Sequence, residues 1–430
     1  MPPIRSFGHS RTDRAVHIVL LVVGLAISAI LAEAGLRSYA ALNKPFGRVY
    51  RALDPLDSQI EPHGTIGYRP KPNRTFHFGN GTTATSNAMS FRGPIVAIPK
   101  SPTIFRFVLL GGSTTHGWGV NDNETIDAYM RELLKQRYPT SRFEVVNLAF
   151  DGYDSYQLVE RLRTDGRRLD PDLIIINSGI NDVRNARVPD LQDPDPRTFL
   201  WDAPLAVERD LLARRRVSWL YRLKHISYLA RLPGFVRMGI HSGRSVEGER
   251  GKIPANPAAA EYFGRNLGRI VALVQDRPVP IVFSSPPSAL TSRYAPHATS
   301  AISYWLQDAS TTEQYRLLLA ERMQDVVSDL VKDGYPTRYV QHTLPARMFL
   351  DDAHLTPEGN RQLARHFVEM TEPFIIAHLR GHSLSGSSSR ADLASARPQH
   401  MICDETKCAG TEKGISTTTT FSRPSDTRWR

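Results

Sequence analysis

The stretch FRFVLLGGSTTHGWGV, residues 105–120, decides how the chain is read. Its first part, 105–110, is an apolar run interrupted only by Arg106, and it stops at Gly111, Gly112 and Ser113. A short apolar run closed by glycines predicts a buried strand ending in a tight turn. A hydroxyl at that end sits where a nucleophile would be held. Serine attacks poorly at neutral pH unless a base takes its proton, so a base has to come from elsewhere in the chain.

Outward from this strand the pattern alternates. Residues 125–137 have helical spacing, with Ile126, Tyr129, Met130, Leu133 and Leu134 on one face. FEVVNLAF (143–150) predicts a second strand and 156–169 a second helix. DLIIINSG (172–179) predicts a third strand, VPIVFSSPP (279–287) a fourth and TRYVQHTL (337–344) a fifth. Helices are expected over 312–333 and 356–379, the last with Thr356 as N-cap and Pro357 at the first helical position. Strands alternating with helices imply an α/β domain, a parallel sheet covered on both faces. Sites in such sheets form beyond the carboxyl ends of the strands, which is where Ser113 falls.

Other segments end in equally unusual residues. NLAFDGYD carries Gly152, NSGIND carries Gly179, Asn181 and Asp182, and LDDAHLTPEGN carries Asp351 and His354. A histidine base with a carboxylate to fix its tautomer completes an activated serine. Asp351 and His354, three residues apart ahead of a helix, suit that pairing better than Asp352. The tetrahedral intermediate needs donors, and backbone N–H groups near Ser113 and Gly152 with the Asn181 amide would supply them. His116 follows Ser113 closely but has no carboxylate beside it in sequence, so it is expected to line the pocket. Asp182 would cap the turn after the third strand. No G-x-G-x-x-G follows the strand, no Gly-Lys-Ser/Thr closes the loop, and Thr115 stands where a G-x-S-x-G elbow needs glycine.

The blocks GGSTT, NLAFDGY, GIND and DDAH, in this order, resemble those of the SGNH hydrolases, also called GDSL-like lipases and esterases. The resemblance covers roughly residues 100–380, and NAMSFRGP looks like a segment that precedes the first block in envelope-anchored members. It implies a flavodoxin-like three-layer α/β/α sandwich around a central parallel sheet. It implies Ser113 as nucleophile, His354 as general base, Asp351 as orienting acid, and Ser113, Gly152 and Asn181 as oxyanion donors. Gly112 departs from the name-giving motif, which has Asp there. This chemistry requires no metal and no organic cofactor.

The chain has 430 residues, 41% hydrophobic and 23% charged, with a formal net charge of +11. Its basic residues are spread widely and match no nucleic-acid-binding motif, so no nucleic-acid partner is expected. The two cysteines, Cys403 and Cys408, lie in a Ser/Thr-rich tail (382–430) read as disordered, so the core depends on no disulfide. Residues 16–36 form a strongly apolar stretch preceded by Arg5, Arg11 and Arg14. This is a membrane anchor or a signal peptide. Ala32-Glu33-Ala34 resembles a cleavage site, but the run is long for a signal core, which favours an uncleaved transmembrane helix. Residues 1–15 would then be cytoplasmic, and 37–100 a loop-rich or β lead-in to the hydrolase domain at 101–381. An insertion at about 187–255 interrupts that domain. Within it, residues 205–238 hold eight basic residues with Trp219, Tyr221 and Tyr228 interleaved, either a charged surface helix pair or an interfacial segment that lies on anionic lipid or roofs the pocket as a membrane-facing lid.

The expected function is a serine esterase that hydrolyses acyl or acetyl esters outside the cytoplasm, on small molecules or envelope polysaccharide. The same residues would serve an O-acyltransferase with a sugar hydroxyl as acceptor. A catalytically silent surface binding domain is the reading from another class.

Overall fold

The computed structural model describes residues 11–43, 60–194 apart from 64 and 79, 219–233, 236, 255–289, 306 and 309–383. The tail expected to be disordered, with its two cysteines, residues 1–10 of the segment expected to be cytoplasmic, and most of the insertion lie outside these.

Five strands form the central sheet: β5 (Ile104–Gly111), β6 (Arg142–Asn147), β7 (Leu173–Asn177), β8 (Ile281–Ser285) and β9 (Thr337–Gln341). They are parallel throughout, in the order β6-β5-β7-β8-β9. The order reverses at β5, so the crevice between the carboxyl ends of β5 and β7 is the topological switch point where such sheets bind ligands.

Alternate residues along each strand serve opposite faces. Phe105, Phe107 and Leu109 of β5 pack with Leu173 and Ile175 of β7 against α3 (Ile126–Arg137) and α8 (Pro357–Ser383). Val108 and Leu110 pack with Ile174, Ile176 and Phe283 against α4 (Ser155–Thr164), α6 (Ala258–Ala272) and α7 (Ala309–Lys332). The result is three layers. Fully burying one such side chain contributes about 1.5–3 kcal/mol, which the apolar runs supply many times over.

Helix boundaries follow local chemistry. Thr125 caps α3, its side chain accepting from the Ala128 N–H, and Thr356 does the same for the Gly359 N–H at the start of α8. Asp154 and Gln157 form a reciprocal capping box on α4. That helix stops at Thr164, short of the expected 169. Gly166 begins a separate 3-10 turn there, and a Cβ on it would lie 2.7 Å from Leu162 Cδ1. Between β7 and β8 stands α6, which the sequence reading leaves without a helix.

The lead-in is more than a connection. Antiparallel pairs β1 (Ile60–His63) with β2 (Gly67–Pro70), and β3 (Arg74–His77) with β4 (Thr83–Ser86), carry Ile66, Tyr68, Phe76 and Ala84 into the same core as Val108 and Leu110. At the N-terminus α1 (Arg11–Leu42) is unbroken across Ala32-Glu33-Ala34. Its segment Ala15–Leu42 is long and apolar enough to cross a membrane, with a mean hydropathy of 2.7 in its most apolar window and the side chains of 16–32 exposed.

Candidate active site

β5 runs out at Gly111, and the chain turns at once into α2 (Ser113–His116), a four-residue helical turn. Both glycines are required by what approaches them. A Cβ on Gly111 would lie 2.2 Å from Thr115 Oγ1, and one on Gly112 would lie 2.3 Å from Asn181 Nδ2. The turn therefore presses its backbone directly against the Asn181 amide. Beneath it the strand ends form a polar shelf. Asn147 Nδ2 donates to Thr115 O, Asn177 Nδ2 donates to Thr115 Oγ1, and Ser284 Oγ donates to Asn177 Oδ1. Buried polar groups tied together in this way hold α2 in one position.

His354 arrives from the opposite end of the chain. Its Nε2 lies 2.8 Å from Ser113 Oγ and its Nδ1 lies 2.7 Å from Asp351 Oδ2. Asp351 Oδ1 also accepts from the backbone N–H of Ala353 and of His354, so the carboxylate organises its own loop. Burial alone would raise the Asp351 carboxyl. The bond to His354, that ring's charge and the two N–H groups outweigh it and hold the carboxyl below its usual range. The two halves of the site are also fastened directly, since Thr114 Oγ1 donates to Ala353 O at 3.1 Å. With Nδ1–H donated to Asp351, Nε2 is left as an acceptor facing the serine hydroxyl. Asp352 is buried and turned away from the imidazole pairing; its carbonyl accepts from the Ala289 N–H.

The other residues singled out in the sequence are close by. Gly152 has a positive φ of 77°, a conformation glycine adopts without strain, and its carbonyl accepts from Arg184. Asn181 Nδ2 donates one hydrogen to Tyr153 O at 2.8 Å, which fixes the amide while its second hydrogen stays available. Asp182 does not cap its own turn. It accepts from the Ser155 N–H at the start of α4 and from Ser178 Oγ. Burial, together with the neighbouring charge of Asp154, pushes its carboxyl up to about 7.

His116 differs from its sequence reading: it has a carboxylate partner. Its Nδ1 lies 2.8 Å from Asp151 Oδ1, the residue just before Gly152. The ring is buried edge-on against Phe76 and Phe150. Burial would raise the Asp151 carboxyl, but His116, with His354 and Arg92 beyond it, brings it below its usual value.

Two further residues were not singled out in the sequence, although Arg92 lies within NAMSFRGP. Trp118, partly exposed, stacks on His354 with ring centroids 4.4 Å apart and 31° between planes, and Phe78 packs on its edge. Arg92 is buried and donates to the carbonyls of Thr83, His116, Gly117 and Val120, with Nε on Asp122. The spacing of "GGSTTHGWGV" places Trp118 near the turn, but nothing in it indicates the stacking.

A family model described as GDSL-like Lipase/Acylhydrolase matches residues 109–362, more than half of the chain. Among solved structures, an acetylxylan esterase from Geobacillus stearothermophilus is 16% identical, with 62% of this chain and 93% of that one covered and a TM-score of 0.32. A GDSL-like lipase from Bacteroides thetaiotaomicron is 15% identical over 66% and 93%, with a TM-score of 0.35. An alpha/beta hydrolase enzyme from the metagenome of Lake Arreo is 17% identical over 62% and 95%, with a TM-score of 0.32. No curated protein matches the chain. The extent of the family match, on a sheet of this order, places the chain in the GDSL-like lipase/acylhydrolase family of ester hydrolases.

Proposed function

We propose that this chain is a membrane-tethered serine esterase that removes acyl or acetyl groups from carbohydrate outside the cytoplasm. Ser113 Oγ attacks the ester carbonyl while His354 Nε2 takes its proton, and Asp351 holds the ring tautomer and stabilises the imidazolium. The oxyanion is received by the backbone N–H groups of Ser113 and Gly152 and by the second amide hydrogen of Asn181. On collapse the imidazolium gives its proton to the leaving alcohol, and the acyl group remains on Ser113. Water then attacks, losing its proton to His354, and the free acid departs as Ser113 recovers its hydrogen.

The observation that carries this reading is the chain of contacts from Asp351 through His354 to Ser113, at 2.7 and 2.8 Å. Tethering is supported by the length and apolarity of α1. A carbohydrate substrate is supported by the partly exposed indole of Trp118 beside the imidazole, a flat apolar surface that suits the C–H face of a sugar.

Reaction with a fluorophosphonate probe tests the assignment. Labelling of wild type and its loss in Ser113→Ala are expected. A folded wild type that takes no label would leave a silent surface binding domain instead. Product analysis with and without a polysaccharide acceptor then separates release of free acid, the expected outcome, from acyl transfer to the sugar.

A further inference from the structure

The described part of the insertion is attached to the anchor helix by a clamp of ionic and polar contacts. Glu33 of α1 accepts from Ser227 Oγ, from the Tyr228 N–H and from the Leu229 N–H, each at 2.9 Å. Arg37, one turn further on, donates to Glu33 and to the Ile226 carbonyl, and its guanidinium lies 4.8 Å from the centre of the Tyr228 ring. Arg231 lies 4.6 Å from that ring. One carboxylate thus satisfies the orphan N–H groups of a turn nearly two hundred positions away.

The helix that ends at this clamp is α5 (Trp219–Ile226). Trp219, Leu223 and Ile226 are spaced i, i+4, i+7 and form one stripe, 73%, 38% and 65% exposed. Arg222 borders it. The position of the clamp along α1 sets what this stripe meets. The apolar stretch 16–32, polar only at His17 and Ser28, spans about 26 Å at roughly 1.5 Å per residue, close to the ~30 Å hydrocarbon core of a bilayer. Glu33, the first acidic residue after that run, therefore stands at the membrane boundary, and the turn it grips stands there with it.

We infer that α5 is a second membrane contact, held by Glu33 in the outer headgroup layer. Its Trp219–Leu223–Ile226 stripe enters the acyl boundary, and Arg222 faces anionic lipid phosphate. A tryptophan on the stripe suits that interfacial level. The inference rests on the reading of α1 as an uncleaved anchor, and it also supports that reading, because cleavage after Ala34 would remove the clamp.

The test uses the full chain in nanodiscs of phosphatidylcholine and phosphatidylglycerol. An environment-sensitive fluorophore is placed at Ile226→Cys, Leu25→Cys or Lys332→Cys in a Cys403→Ser, Cys408→Ser background. Nitroxide lipids quench it from the headgroup or from deep in the acyl layer. We expect headgroup quenching at 226 to exceed that at 332 by about threefold, with position 25 quenched by the deep nitroxide. Quenching at 25 with none at 226 would overturn the interfacial placement and leave the anchor standing. Absence at both positions would overturn the anchor as well. Glu33→Ala should remove most of the quenching at 226 and leave position 25 unchanged; full quenching at 226 in that variant would overturn the clamp.

Discussion

His354–Asp351 and His116–Asp151 are held at nearly the same distance, 2.7 and 2.8 Å, on either side of the α2 turn. The difference lies in what else surrounds each ring. His354 presents Nε2 to Ser113 Oγ from a partly exposed loop. His116 is boxed between Phe76 and Phe150 and braces α2 against the Asp151–Gly152 turn. A histidine–aspartate pair is therefore not in itself a catalytic unit. The third contact decides whether it moves protons or holds the backbone in place.

The comparison predicts a graded series. Ser113→Ala and His354→Ala should each lower kcat by about four to six orders of magnitude, and Asp351→Asn by about four, measured on a chromogenic acetyl ester. His116→Phe and Asp151→Asn should instead cost about tenfold to a hundredfold, as displacement of one oxyanion donor would. They should also lower the melting temperature, because a buried polar group loses its partner. If the His116 variants were as inactive as His354→Ala while remaining folded, the division of labour would be wrong. Gly112→Ala probes a different contact, the one with the Asn181 amide. Its methyl group would push Asn181 Nδ2 away, and kcat should fall about a hundredfold with KM little changed. Trp118→Leu should raise KM for a carbohydrate ester more than for a simple acetyl ester, by roughly tenfold if the indole supports a sugar ring.

The last expected effect concerns stability rather than rate. The Asp182 carboxyl lies at about 7 in the folded chain against an ordinary 3.8. The folded chain thus keeps a proton that the unfolded chain releases, and the contribution of Asp182 to stability declines as pH rises from about 4 to about 7. Urea unfolding across that range should find wild type losing ground to Asp182→Asn as pH increases. A constant difference between the two would remove the claim.

Much of this architecture was legible in the sequence because its signals are local. Parallel strands buried on both faces read as continuous apolar runs, so the five strands stand close to where those runs lie. Asp351 and His354 were legible as a pair because three residues in a short turn bring their side chains together. What escaped was long-range or disguised. Asp151 is 35 positions from His116, and no pattern in either segment points to the other. Helix α6 carries Gly264 and Gly268, residues of poor helix propensity that blur its periodicity. A Cβ at Gly264 would lie 2.7 Å from Arg322 Nε, so close approach of α7 explains that glycine. The clamp at Glu33 lay in a segment that reads as an anchor or a cleavage site, with nothing in it pointing to residues 227–229.

Arg92 sets a limit on how the enzyme can be trimmed. The four carbonyl oxygens it satisfies belong to β4 and to residues 116–120 at and just after α2, and a buried acceptor left unmet costs about 1–3 kcal/mol. A secreted fragment starting at residue 101, the obvious place to cut by homology, would lose that guanidinium and much of one core face. An excised soluble enzyme should therefore begin ahead of Ile60, carrying its neck with it.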